Sequence, residues 1–177
     1  MKNINKIENM IEGWLKPLPR IPAKWAKMLA DNLWWIVGIG IVLSGIAVLM
    51  SISALLYGIS FISGMSGYGA YLVNTYNGWW AAAAVVSLLS LAATVVLMGM
   101  AFNHLKVMHK KGWDMLFLAS LVTAASSVIV VVLNFTNYII FVNLFMTLIG
   151  TAVGVYLLFE IKSYFKSGKI AAVEEKK

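Results

Sequence analysis

The sequence contains no cysteine. That excludes disulfide staples, thiolate metal sites and palmitoylation, and it leaves the compartment open. Charge is scarce: only 12% of the 177 residues carry it, against about 25% in soluble domains. Proline occurs three times, and Pro17, Pro19 and Pro22 all fall in one short run. No Asp, Glu, Lys, Arg or His interrupts the stretches 33–57, 79–102, 115–133 and 138–159. Proton relays, ion-coupled transporters and intramembrane proteases ordinarily need an ionisable group at that depth, so its absence argues against each of them.

What the chain has instead is apolar length. Hydrophobic residues make up 61% of it. Each of the four uncharged stretches is about as long as a bilayer core is thick. The reading is all-α: an integral membrane four-helix bundle over 33–160, an N-terminal amphipathic interfacial arm over 1–32, and a basic tail over 161–177. The first stretch starts too late and runs too long for a cleaved signal, so it should act as an uncleaved anchor.

Small and hydroxyl residues recur at helical spacing inside the spans. The first span carries Gly40, Ser44, Ala47 and Ser51 on one face, and this smooth face marks it as the expected spine of the fold. The second carries Ser87, Ser90 and Thr94, and the third Thr123. The fourth carries Asn143, Thr147, Gly150 and Gly154, the two glycines forming a GxxxG pair. These rows have two readings: a close-packed seam between helices, or the lining of a polar path. Asn143, the strongest polar side chain within a span, reads first as an interhelical hydrogen bond worth about 1 kcal/mol.

Before the first span, residues 3–16 place Ile4, Ile7, Ile11, Trp14 and Leu15 on one helical face. Lys6, Glu8, Asn9, Glu12 and Lys16 fall away from it, with Glu12 and Lys16 as an i,i+4 pair. The proline run breaks this helix. A short second piece sets Trp25, Met28 and Leu29 against Lys24, Lys27 and Asp31, and Asp31 or Asn32 can cap the span that follows. Gly112 reads as the stop after the second span and Asp114 as the cap of the third. His104 and His109 read as interfacial histidines. Nothing asks for a metal or another cofactor.

The balance of 14 Lys plus Arg against 7 Asp plus Glu gives +7. These charges sit at the edges of the apolar runs, which fits anionic lipid headgroups and not nucleic acid. Every Lys and Arg lies in the arm, in the 103–114 connection with Lys110 and Lys111, or in the tail. With four crossings these segments share one side, and the positive-inside rule makes both termini cytoplasmic. Trp14, Trp25, Lys24, Lys27, Lys110 and Lys111 are then the membrane-surface residues.

The run Pro19-Arg20-Ile21-Pro22-Ala23-Lys24-Trp25, followed by Asp31-Asn32-Leu33-Trp34-Trp35, resembles the start of small four-span membrane proteins of bacteria. The resemblance covers residues 14–60 and carries no catalytic motif. It implies an inner-membrane protein and assigns no activity. The functional expectation is a non-enzymatic scaffold or accessory subunit whose partners are the lipid bilayer and either other membrane proteins or a second copy. The alternative is a small-solute channel or facilitator lined by the Ser, Thr and Asn rows.

Overall fold

The computed structural model describes residues 2–64, 80–133 and 138–165. They form five helices: α1 (Lys2–Leu15), α2 (Ala23–Gly64), α3 (Trp80–Lys106), α4 (Lys110–Leu133) and α5 (Tyr138–Ile161), with a 3-10 turn over Lys162–Tyr164. Four helices are long and apolar enough to cross a membrane. The chain is an all-α, multi-pass membrane protein built as a four-helix bundle. The connection over 65–79, the turn over 134–137, the tail from 166 and the side chain of Asn143 lie outside the described residues.

Around the bundle the order is α2, α3, α4, α5. Helix α3 packs most extensively on α4, α2 lies along α3, and α5 lies along α4, while α2 and α5 touch only briefly. Helices α3 and α4 are therefore the central pair, and α4 buries Gly112, Trp113, Leu116, Phe117, Ala119 and Val131. This corrects the expectation that the first span is the spine. Among the described residues the buried side chains of α2 are Ala26, Ala30, Leu33 and Val37, all toward its N-terminus. A row of small residues permits close approach but does not compel it. Helices α3 and α4 add hydroxyls that meet across their contact.

The arm, the start of α2, the α3–α4 corner and the end of α5 gather at one end of the bundle, here the arm end. Helix α2 starts there directly after Pro22, whose carbonyl accepts hydrogen bonds from the N–H groups of Trp25 and Ala26. Its 42 residues span roughly 63 Å, about twice a bilayer core. The cap expected at Asp31 or Asn32 is absent because the helix runs through both residues. Asn32 instead donates its side-chain amide to the Met28 carbonyl one turn back.

The α3–α4 corner also differs from expectation. The chain turns at Met108, which takes a positive φ of 48°. His109, not Asp114, caps α4, its Nδ1 accepting the Lys111 N–H at 3.1 Å. That bond fixes the ring's tautomer with the proton on Nε2. Gly112 is no stop. It lies in the first turn of α4, where a Cβ would stand 2.9 Å from the Leu105 backbone nitrogen. Glycine lets the two helices meet at the corner at backbone contact distance.

Candidate functional site

Two places combine polar chemistry with burial: the arm end, and the lumen between the helices. At the arm end, Lys162 is the hub. Its Nζ lies 2.9 Å from the Glu8 carboxylate and also bonds the Glu12 carboxylate. The same ammonium stands over the Trp113 and Phe159 rings, 5.7 and 5.5 Å from their centroids. Glu8 is only 5% exposed, and a buried carboxylate without a cation would be costly. Lys110 is a second, looser partner for Glu8 at 4.0 Å. Lys162 holds the Glu12 carboxyl below the usual carboxylate range, chiefly through this hydrogen bond.

The docking turns α1 so that Glu8 and Glu12 face the body. Ile11 and Leu15 pack against the core, while Ile7, Met10 and Trp14 stay exposed. The stretch from the proline run to the start of α2 is then strapped to α5 and the 3-10 turn after it by three hydrogen bonds between side chains and backbone. Tyr156 donates its hydroxyl to the Pro19 carbonyl, Glu160 accepts the Ile21 N–H at 2.9 Å, and Tyr164 donates to the Ala23 carbonyl at 3.2 Å. Tyr156 and Glu160 of α5 and Tyr164 of the 3-10 turn are spaced by four, and together they reach alternate residues of the strap. Proline lacks an N–H but keeps its carbonyl, so the strap still offers acceptors.

Beneath the strap the core is aromatic. Trp113 stacks on Phe117 at 5.4 Å, and Phe159 meets both rings edge-on. The Trp113 indole donates to the Leu158 carbonyl at 2.6 Å. That carbonyl belongs to the last turn of α5, where helix carbonyls lack intrahelical partners.

Away from the arm end the bundle opens into a lumen. A cavity of about 280 Å³ is lined by Ser87, Ser90 and Thr94 of α3, Thr123, Ser126 and Ser127 of α4, and Thr147 of α5. A second cavity of about 410 Å³ shares Thr94, Thr123 and Thr147 with the first. It continues toward the arm end past Val37, Met98, Leu116, Gly150, Gly154 and Leu158. Across α3 and α4, Ser90 donates to Ser126 at 2.7 Å, and Thr94 meets Thr123 at 3.4 Å. Other hydroxyls turn to their own helices: Ser87 to the Ala83 carbonyl, Thr123 to Ala119, and Ser126 and Ser127 to Thr123.

No family model matches this sequence, and no curated protein or solved structure is significantly similar to it.

The structure therefore brings the rows of α3, α4 and α5 to one lumen, and leaves the α2 row out of it. Gly40 lies near Met98 of α3, while Gly45 has open space beside it. Ser44, Ala47 and Ser51 are half-covered. Gly150 and Gly154 meet no atom within 4 Å of where a Cβ would stand, so among the described residues no helix closes on that pair. Trp14, Trp25, Lys24, Lys27 and Lys111 are exposed, and Lys110 turns toward Glu8. Glu12 reaches Lys162 and not Lys16, its expected partner. Among the described residues, no His, Asp and Glu group of three is arranged to hold a metal ion.

Sequence reasoning missed Glu8, Trp113, Tyr156, Lys162 and Tyr164. One signal was available: Glu8 and Glu12 are an i,i+4 acidic pair in a basic chain, which calls for a cation elsewhere. The position of that cation, some 150 residues on, carries no signal of its own.

Proposed function

We propose that this protein is a non-enzymatic scaffold or accessory subunit of a bacterial inner membrane, holding another membrane protein along α2. Both termini are cytoplasmic in this reading, since the exposed cations of the described chain cluster at the arm end. Trp14 and Trp25 then sit at the headgroup layer, with Lys24 and Lys27 toward anionic lipid.

The observation that carries the proposal is the state of α2 beyond Val37. From Gly38 to Gly58 no described side chain is buried, although the row of Gly40, Ser44, Ala47 and Ser51 is smooth enough for a helix to lie on. The channel reading has less support. Toward the arm end the lumen lining turns apolar at Leu116, Met98 and Leu158. Beyond it stand Trp113 and Phe117, both fully buried.

Photo-crosslinking in intact membranes tests the proposal. A diazirine side chain at Leu43 or Leu49, which flank the row, should give a discrete protein adduct. The same group at Leu89 of α3 should give lipid adducts only. If Leu43, Leu49 and Leu89 all label lipid alone, α2 faces the bilayer and the scaffold reading fails.

A further inference from the structure

The lumen has a chemical bias that is independent of any partner on α2. A serine or threonine hydroxyl has one proton to donate and two lone pairs to accept with. Along α3 and α4 the lumen protons are already engaged. Ser87, Thr123, Ser126 and Ser127 donate to helix carbonyls, and Ser90 donates to Ser126. Because the Thr123 proton goes to Ala119, the Thr94–Thr123 contact has Thr94 as its donor. What these groups still present is acceptor capacity. We propose that this cavity of about 280 Å³ is a binding site for small uncharged molecules that donate hydrogen bonds, such as water, ammonia or a primary amide.

Size and charge narrow the class. A water molecule occupies about 30 Å³, so the cavity holds several or one small solute. It also has the several polar partners that a bound water requires. An ion would lose its hydration with no counter-charge in the lining, a large penalty. A neutral donor avoids that penalty and satisfies the lone pairs. The aromatic cluster at the arm end makes this a blind site and not a route through the membrane.

Cysteine reactivity in the full-length membrane protein tests this, because the chain has no cysteine of its own. Thr147→Cys and Ser87→Cys place a thiol in the lumen from two helices, and Val96→Cys places one on the exposed side of α3. Thiols react as thiolates, which need a hydrated, hydrogen-bonding surrounding. Methyl methanethiosulfonate, small and neutral, should modify the lumen thiols at least about tenfold faster than Val96→Cys. Excess acetamide should slow that reaction severalfold. Acetone, the same shape without the N–H donors, should not. Elution as a single species at the wild-type position shows that each variant folds, and the second lumen position serves if the first does not. Lumen thiols no faster than Val96→Cys would mean a dry cavity. Equal protection by acetamide and acetone, or protection by neither, would remove the donor preference. Either result overturns the proposal.

Discussion

The two ends of the bundle are built differently. At the arm end, Trp113, Phe117, Leu105 and Ile161 are all below 2% exposed. Glu8 and Lys162 are paired, and a glycine brings α4 onto the α3 backbone. At the far end the helices surround cavities, no described side chain of α2 beyond Val37 is buried, and hydroxyls take the place of packed side chains. Apolar burial gives little drive between helices in lipid, because lipid tails are as apolar as leucine. The arm end lies where water begins, and there burial, aromatic contact and charge pairing can all contribute. The far end relies on small residues and short hydroxyl bonds. One chain thus has a rigid anchored end and a looser end, and substitutions should separate them.

Trp113→Ala should have the largest effect. It removes the stack on Phe117, the edge contact with Phe159 and the donor to Leu158, and it leaves a cavity at the most buried point. Truncations of this kind cost about 3–5 kcal/mol. Thermal unfolding in detergent should fall sharply, and no single substitution in the far half should match it. A Trp113→Ala protein as stable as wild type would show that the arm end is not the anchor.

Glycines give a matched pair. Gly112→Ala puts a methyl 2.9 Å from the Leu105 nitrogen, which is backbone and cannot swing aside. Overpacking of this kind costs about 1–3 kcal/mol. Gly154→Ala fills open space and replaces the poorer helix former. It should be neutral or slightly stabilising in the same melt. Equal losses would mean that the cavity beside Gly154 is as tightly packed as the corner.

How much of this was legible follows from what each feature depends on. The four spans were readable because each is a local run without charge. The hydroxyl rows were readable as rows because their spacing is periodic. Whether they met was not readable, since spacing defines a face and not the neighbour of that face. This is why α2, with its smooth small row, looked central and proved peripheral. Gly112 was read as a stop because glycine ends many helices, whereas here it serves close approach and Met108 makes the turn. The strap was invisible for another reason. Tyr156, Glu160 and Tyr164 bind backbone atoms, so nothing in the side chains they hold announces them. Glu8 and Lys162 are paired by the fold alone.

The arm can be released without substitution. The Glu12 carboxyl is held below the usual carboxylate range by Lys162. A depressed pKa in the docked state means that docking is stabilised above the undocked pKa, and that this contribution is lost as pH falls through the docked value. A spin label on Gly13→Cys, an exposed position on α1, should be immobile at neutral pH. It should become mobile on acidification through and below the carboxylate range. Lys162→Met should make it mobile at every pH. A label that stays immobile in Lys162→Met would mean that Ile11, Leu15 and the strap hold the arm without the ion pair.

The smallest effect belongs to the hydroxyl pair at the far end. Ser90→Ala removes the donor to Ser126, but Ser126 keeps its own bond to the Thr123 carbonyl, so no donor is left unpaired. Interhelical hydrogen bonds within membranes average about 0.6 kcal/mol. Ser90→Ala should therefore shift the melt by far less than Gly112→Ala. Ser126→Ala should cost slightly more, because Ser90 then loses its acceptor. The double variant should cost less than the sum of the two, since both remove one shared bond. Strict additivity would mean that the pair is not coupled. A loss from Ser90→Ala as large as that from Gly112→Ala would mean that the hydroxyls hold α3 to α4 as firmly as the glycine corner does, and the contrast between the two ends would disappear.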